Sequence, residues 1–221
     1  MQKEIDRAMA KVNAGAEGKT ATRQEVVDMM IQGMQVLVYP NDGLRAVCEA
    51  VKEGEFDDNM RMMVEALSTV MLRHGGIGIS APQVGVPLRL IIVNLTRKNE
   101  DNIAILNPRI IERGEKMVTM REGCLSFPKV EVNVKRPAEV KIEAESFEGK
   151  TITLELKGLG ARVVQHEMDH LDGKLLIDYV GGVKRDMIKR KMKKLHRQAK
   201  NQDKQPRPKT RKGRKNRSIK E

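Results

Sequence analysis

Residues 165–170, which read Q-H-E-M-D-H, constrain the fold of this chain more than any other segment. They contain the pattern H-E-x-x-H, in which His166 and His170 are four residues apart and Glu167 lies between them. Residues at this spacing share one face of a helix, so both imidazoles can reach the same metal ion. Glu167 lies on the neighbouring stripe, where its carboxylate can take a proton from a water held beside the ion. The pattern therefore predicts a helix that carries most of a hydrolytic metal site.

The residues around this pattern favour a partly buried helix. Gly158 and Gly160 precede the segment, and Gly173 follows it, as expected for a helix that ends at a glycine cap. Apolar side chains recur at helical spacing at Val164, Met168 and Leu171. We expect this stripe to face the core and the histidines to lie on the adjacent face.

A catalytic metal site also needs a third protein ligand and one open position. One common pattern places a third histidine six residues beyond the second, but Leu176 stands at that position here. The only glutamate after His170 is the terminal Glu221. The third ligand is therefore expected upstream. The candidates are Cys124, Cys48 and His74.

Cys124 is the preferred candidate for the third ligand. It lies between two strand-like segments and is flanked by Gly123 and Pro128, which indicates an irregular backbone. Cys48 lies in an apolar helical pattern that is typical of a small buried side chain. His74 ends a predicted helix, where a histidine is favourable for the helix dipole alone. A set of one thiolate and two imidazoles binds a divalent transition metal.

Three separated motifs of this chain resemble those of the peptide deformylases. They read G-I-G-I-S-A-P-Q at 76–83, E-G-C-L-S at 122–126 and Q-H-E-M-D-H-L-D-G at 165–173. Their order and spacing also resemble the family, and the likeness spans residues 36–180. Ile79 and Ser80 depart mildly from the family pattern, in which Leu and Ala are common, and neither position is expected to affect the chemistry.

The resemblance implies that the chain hydrolyses the N-formyl group from the N-terminal formyl-methionine of newly synthesised polypeptides and releases formate. It implies that Cys124, His166 and His170 hold one divalent metal. Fe(II) is the expected ion, and Zn, Ni or Co can occupy the same site. Glu167 is then the general base for the attacking water and afterwards the acid for the departing amine.

The resemblance also implies roles for residues outside the metal site. The side-chain amide of Gln83 and the backbone N–H of Leu125 are expected to stabilise charge on the formyl oxygen. Gly78 is expected to let the substrate backbone approach closely. Ile77 and Val163 are candidates for lining the pocket of the methionine side chain. Packing in the core is an equally good interpretation of these two residues.

The periodicity of the remaining chain predicts an α+β fold. Residues 57–74 form the clearest helix, with an apolar stripe and Gly75 at its end. Strands are predicted at 88–95, 103–106, 130–134, 138–145 and 151–156, with a hairpin turn at 146–150. This order predicts antiparallel sheets packed around a central H-E-x-x-H helix.

Three segments are predicted along the chain. Residues 1–33 form a helical N-terminal extension of two short helices, the second beginning at a capping box of Thr22 and Glu25. Residues 34–182 form the metal-dependent catalytic domain. Residues 183–221 form a basic helix followed by a tail that is expected to be disordered beyond Ala199.

Positive charge is concentrated at the C-terminal end. Residues 184–221 contain 18 Lys and Arg against 3 Asp and Glu, whereas the whole chain has a net charge of +12, so the rest of the chain is mildly acidic. Such a segment fits binding to an RNA backbone, and we expect it to contact ribosomal RNA near nascent chains. The aromatic content of 2% disfavours base stacking and therefore sequence-specific reading. A solubilising tail is the alternative interpretation.

The sequence also bears on the compartment of the protein. No apolar run is long enough to span a membrane, and the N-terminus lacks the apolar region of a signal peptide. Two cysteines, one of them a candidate ligand, indicate a reducing compartment rather than a disulfide framework. We therefore expect a cytoplasmic protein.

Two other functions stay open at this point. The first is an H-E-x-x-H metallopeptidase, which the missing downstream ligand and the motifs at 76–83 and 122–126 disfavour. The second is a ribosome- or RNA-binding protein built on an inactive deformylase body. The intact candidate site disfavours this second alternative.

Overall fold

A central helix between two antiparallel sheets organises the molecule, which the computed structural model describes over residues 21–52 and 54–203. The helices are α1 (Arg23–Gly33), α2 (Asp58–Arg73), α3 (Gly158–Leu171) and α4 (Gly182–Asp203). The strands are β1 (Gly78–Ser80), β2 (Leu90–Val93), β3 (Ile103–Arg113), β4 (Met117–Gly123), β5 (Glu131–Pro137), β6 (Glu139–Glu145) and β7 (Thr151–Lys157).

The strands form two antiparallel sheets. The larger sheet has the order β1-β2-β3-β6-β7, and the smaller one pairs β4 with β5. Helix α3, which carries the H-E-x-x-H pattern, contacts strands of both sheets. This arrangement confirms the predicted α+β fold with antiparallel sheets around a central motif helix.

The predicted apolar stripe of α3 faces the core. Val164, Met168 and Leu171 are buried in a cluster that includes Ile91 and Ile142 of the larger sheet. Burial of each such side chain stabilises the fold by about 1.5–3 kcal/mol. The opposite side of α3 is thereby turned toward β4 and β5, and His166 of the motif lies there, beside Glu122 of β4.

Glycines lie at both ends of α3. Gly173 follows α3 with a φ of +67°, so the predicted glycine cap is present. Gly158 and Gly160, which precede the motif, lie within the first turn of the helix. Gly158, the first residue of the helix, has a φ of +56°. This left-handed backbone conformation is accessible there because glycine has no Cβ.

Helix α1 packs against the same core as α2. Thr22 and Glu25 form the predicted capping box, with the Thr22 N–H donating to Glu25 at 2.7 Å and the Glu25 N–H donating to Thr22 Oγ1 at 3.3 Å. Its buried residues are Val26, Val27, Met30 and Ile31, and they join the apolar cluster of α2. The other predicted N-terminal helix lies outside the described residues, and the division of the chain at residue 33 stays a prediction.

Two strands, β1 and β4, lie outside the predicted set. Strand β1 is only three residues long and begins at a glycine. Strand β4 has only one buried residue, Glu122, so it shows no apolar alternation. Strand β3 continues to Arg113 instead of ending at 106, because a bulge near Asn107 shifts the register without ending the pairing. The Asn107 side chain fixes that bulge by donating to Val51 O at 2.8 Å and to Glu145 at 2.7 Å.

Helix α4 is longer than the sequence indicated. Ile188 and Met192 are buried against an apolar cluster that contains Phe127 and Leu176. The helix extends to Asp203, four residues past Ala199, because Lys, Arg and Gln are good helix formers; disorder of the remaining tail stays a prediction. Residues 204–221 lie outside the described part of the chain. Among the described helices, none has the length and apolar character needed to cross a membrane.

Candidate active site

The structure brings Cys124, His166 and His170 together. One ligand atom from each of these residues lies within 4.8 Å of the others. Cys124 Sγ is 3.3 Å from His170 Nε2. Typical bond lengths place a sulfur and a nitrogen roughly 3.5 Å apart on one tetrahedral ion, so this distance fits a shared metal. Of the three candidates for the third ligand, Cys124 is the one that joins the histidines, whereas Cys48 and His74 do not.

Local structure explains how the three ligands meet. His166 and His170 are one helical turn apart on α3, and their ring centroids are 5.3 Å apart. Cys124 directly follows the last residue of β4, in a turn closed by the Phe127 N–H donating to Cys124 O at 2.9 Å. Strand β4 and helix α3 therefore meet at the cluster from opposite sides.

The buried polar atoms at the cluster fit a metal-assisted hydrolase. Among the described residues, Glu167 Oε2 and His170 Nδ1 are buried without a hydrogen-bond partner. Burial raises the pKa of Glu167 to about 7, which suits a general base near neutral pH. Burial also lowers the pKa of His170 well below its ordinary value, which favours the neutral imidazole that binds metals. A thiolate and two imidazoles are the donor set of a divalent transition ion.

Glu122 orients the ring of His166. Its Oε2 lies 2.9 Å from His166 Nδ1, and its Oε1 accepts from Arg136 Nε and Arg162 Nη1, both at 2.8 Å. Burial alone would raise the pKa of Glu122, but the hydrogen bonds from His166, Arg136 and Arg162 hold this pKa well below its ordinary value. The ionised carboxylate therefore accepts from Nδ1 and leaves Nε2 of His166 facing the cluster.

Gln83 points its amide nitrogen toward the cluster. Its Oε1 accepts from the Ser80 N–H at 2.9 Å and from Ser80 Oγ at 3.0 Å. Its Nε2 donates to Ser126 Oγ at 3.3 Å and lies 3.5 Å from Cys124 Sγ. The short 3₁₀ turn Ala81–Val84 thus holds the amide in one orientation. The Leu125 N–H donates to no acceptor among the described residues.

A cavity of about 620 Å³ opens beside the cluster. Its lining contains all the remaining candidate site residues, which are Ile77, Gly78, Gln83, Leu125, Val163 and Glu167. Two ligands, Cys124 and His166, also line it, whereas His170 lies behind them and is 2% exposed. Val163 also packs in the core, and Ile77 packs against the same core cluster, so the two interpretations of these residues are compatible.

Gly78 has no room for a side chain. A Cβ at this position would lie 2.6 Å from Glu167 Oε1 and 2.6 Å from Val163 Cγ1. Such a contact would displace the carboxylate, and a misplacement of about 1 Å can lower a rate by about 10²-fold.

We expect Gly78→Ala to reduce kcat/KM for a formylated peptide by about this factor of 10². Formate release measured beside Gly33→Ala tests this, since a Cβ at Gly33 meets nothing within 4 Å. Equal activity of the two variants would contradict the role of this close contact.

Comparison with known proteins identifies the family of this chain. The model of the polypeptide deformylase family matches residues 33–186. The chain belongs to this family. A peptide deformylase of Hydrogenovibrio crunogenus is 40% identical over 161 residues, which cover 73% of this chain and 94% of that relative. Peptide deformylase 1 of Rickettsia conorii is 37% identical over 171 residues, which cover 73% of this chain and 95% of that relative.

Solved deformylase structures share the fold. The enzyme of Legionella pneumophila aligns with a TM-score of 0.71 and 32% identity, covering 78% of this chain and 99% of that one. The peptide deformylase of Plasmodium falciparum aligns with a TM-score of 0.69 and 36% identity, and the alignment covers 77% of this chain and 100% of that one. This deformylase is therefore a metal-dependent hydrolase, and the metallopeptidase alternative is not supported.

Several residues of the deformylase site were not singled out from sequence. They are Glu122, Arg136, Arg162, Asp169 and Tyr179, which surround the ligands rather than bind the metal. The sequence of β5 does contain one signal for these residues. Every second residue of the strand is buried, and these buried residues are Val132, Val134 and Arg136. A charged residue at the third buried position indicates a buried ion pair.

Proposed function

We propose that this deformylase removes the formyl group from the N-terminal formyl-methionine of newly synthesised polypeptides. The observation that carries this proposal is the position of Glu167. Its Oε2 is buried without a hydrogen-bond partner among the described residues, and Glu167 lines a cavity together with Cys124, His166 and Gln83. A base, a ligand cluster and an amide donor thus meet at one place where a small carbonyl group can enter.

In this proposal Cys124, His166 and His170 hold a divalent ion, and the donor set suits Fe(II), with Zn, Ni or Co as ions of the same charge. When bound, the ion supplies positive charge that acidifies the attacking water and polarises the formyl carbonyl. The second nitrogen of His166 stays bonded to Glu122, which keeps the ring in one orientation.

Glu167 performs the proton transfers. Its carboxylate takes a proton from water as the water oxygen bonds to the formyl carbon. The same group then gives the proton to the departing amine as the C–N bond breaks. The second proton of the water passes from the nascent formic acid to the amine, so the products are formate and a polypeptide with an N-terminal ammonium, and atoms and charge balance without a further reactant.

Gln83 and Leu125 stabilise the oxygen on which negative charge develops. The Nε2 of Gln83 is held toward the cluster by the bonds that its Oε1 accepts from Ser80. The Leu125 N–H is adjacent in sequence to the ligand Cys124 and has no acceptor among the described residues. Neutral donors that are fixed in advance stabilise this charge without reorganisation. Gly78, Ile77 and Val163 form the wall that the methionine residue contacts.

A comparison of three peptides as substrates tests the proposal. The metal-loaded protein, purified without oxygen, is offered formyl-Met-Ala-Ser, acetyl-Met-Ala-Ser and an unblocked peptide. We expect formate from the first and no cleavage of the internal bonds of any of them. Cleavage of internal bonds, or equal hydrolysis of the acetyl group, would contradict the proposal.

We also propose that α4 docks the enzyme on ribosomal RNA, where nascent chains emerge in the cytoplasm. Ile188 and Met192 anchor this helix to the body, so its basic side chains face outward. The exposed ones include Arg190, Lys193, Lys194 and Arg197, which line a shallow groove. Displacement of counterions from phosphates by such cations gives an affinity that falls steeply with salt.

Replacement of Lys193, Lys194 and Arg197 by Glu is expected to lower ribosome affinity by at least about 10²-fold at low salt, because each phosphate contact contributes to the salt dependence. Co-sedimentation with ribosomes over a salt series measures this. Lys141→Glu and Lys157→Glu on the body serve as controls. Affinity that is independent of salt, or equal loss in the controls, would contradict docking through α4.

A further inference from the structure

Tyr179 lies at the outer end of a hydrogen-bond chain that reaches a metal ligand. Its hydroxyl donates to Asp169 Oδ2 at 2.6 Å and accepts from Arg136 Nη1 at 3.0 Å. Arg136 Nη1 also donates to Asp169 Oδ2 at 2.7 Å. The Tyr179 hydroxyl, Asp169 Oδ2 and Arg136 Nη1 therefore form a closed triangle of three hydrogen bonds.

Arg136 links this triangle, through Glu122, to the metal ligand His166. Its Nε and Nη2 donate to the two carboxylate oxygens of Glu122 at 2.8 and 3.0 Å. The second of those oxygens contacts His166 Nδ1 at 2.9 Å. The side chains of Arg136 and Glu122 are each 5% exposed, so water does not replace these bonds. Any rotation of the guanidinium therefore moves the carboxylate that orients His166.

The ring of Tyr179 is held in place by two cations. Lys174 Nζ lies 4.1 Å from the ring centroid, and Arg136 Cζ lies 4.7 Å from it. A cation over the face of an aromatic ring is attracted by the negative charge of that face. Tyr179 therefore presents its hydroxyl to the triangle in one orientation.

The turn that carries Tyr179 is attached to the C-terminal helix. This short 3₁₀ turn, Leu176–Tyr179, is separated from the start of α4 at Gly182 by two residues. Arg185, in the first turns of α4, donates to Ile177 O at 3.1 Å and to Val180 O at 3.2 Å. The start of the basic helix and the metal ligand are thus joined by one continuous set of contacts.

We infer that Tyr179 is a positioning residue for the metal ligand His166 and acts through Asp169, Arg136 and Glu122. The inference rests on the proposed metal site. The phenol hydroxyl fixes the guanidinium of Arg136, and the guanidinium fixes the carboxylate that holds the imidazole. Partners beyond the ligands typically change metal affinity or activity by about 10–100-fold when they are removed.

The test compares Tyr179→Phe with Tyr39→Phe. Tyr39 is the only other tyrosine of the chain and belongs to the same apolar cluster, and its hydroxyl has no hydrogen bond to a described residue. We expect Tyr179→Phe to speed release of the metal to a chelator by about tenfold and to lower kcat with little change in KM. In the cobalt-substituted protein, the visible absorption bands should shift, because they report ligand geometry. Tyr39→Phe should change none of these.

A second background shows whether the effect passes through Asp169. In an Asp169→Asn protein, Tyr179→Phe should add little, because contacting residues in one network are not additive. Unchanged cobalt bands and unchanged metal release in Tyr179→Phe would overturn the inference, even if the variant were less heat-stable. Failure of the proposed function is a separate result, since it would appear as a cobalt-loaded native protein that releases no formate.

Discussion

Replacement of Glu167 by alanine is expected to lower formate release by about 10²–10⁴-fold, the usual contribution of a positioned general base. Glu167 is 4% exposed, and its Oε2 has no hydrogen-bond partner among the described residues. It is therefore available for a proton from water at the cavity. The three ligands are on other residues, so the metal content should stay at one ion per chain.

This prediction is measured with a formate assay and a metal analysis on the same preparations. Glu115→Ala, which removes an exposed glutamate far from α3 in sequence, is the matched control. Glu167→Gln should behave like the alanine variant, because the amide keeps the shape but cannot take the proton. A fully active Glu167→Ala protein would contradict the role of this residue as the base.

Replacement of Cys124 by alanine is expected to abolish tight metal binding and, with it, formate release. The thiolate is one of three ligands, and its Sγ lies 3.3 Å from His170 Nε2. Two imidazoles alone do not complete the three protein ligands of a catalytic site. Glu122 and Arg136 should still hold His166, so the fold of α3 should persist.

The chain supplies its own control for this prediction. Cys48 is the only other cysteine, and burial raises its pKa to about 11, so it is an unreactive thiol. Cys48→Ala should keep one metal per chain and full activity. A Cys124→Ala protein that binds metal as tightly as the native protein would show that the third ligand is another residue.

The helix and its ligands could be predicted because their signals are local. The spacing of His166 and His170, the stripe from Val164 to Leu171 and the glycine at 173 all lie within ten residues. Cys124 required a choice among three candidates, since the pairing of β4 with β5 is what brings it to α3. Long-range pairing of this kind leaves little trace in a single sequence.

The residues behind the ligands could not be predicted for the same reason. Arg136 contacts Glu122 from the neighbouring strand and Asp169 from α3, so its role exists only once the smaller sheet has packed against α3. Strand β4 was missed because its one buried side chain is that glutamate. The most polar part of the interior was thus the least visible in the hydrophobic pattern.

The central claim is that hydrolysis of the formyl group occurs at the Cys124, His166 and His170 site. The most direct measurement adds Fe(II) without oxygen to the metal-free protein and follows formate release from formyl-Met-Ala-Ser at each increment. We expect a rise that saturates at one metal per chain in the native protein and no rise in Cys124→Ala. A native protein that holds one metal per chain at this site and releases no formate would contradict it.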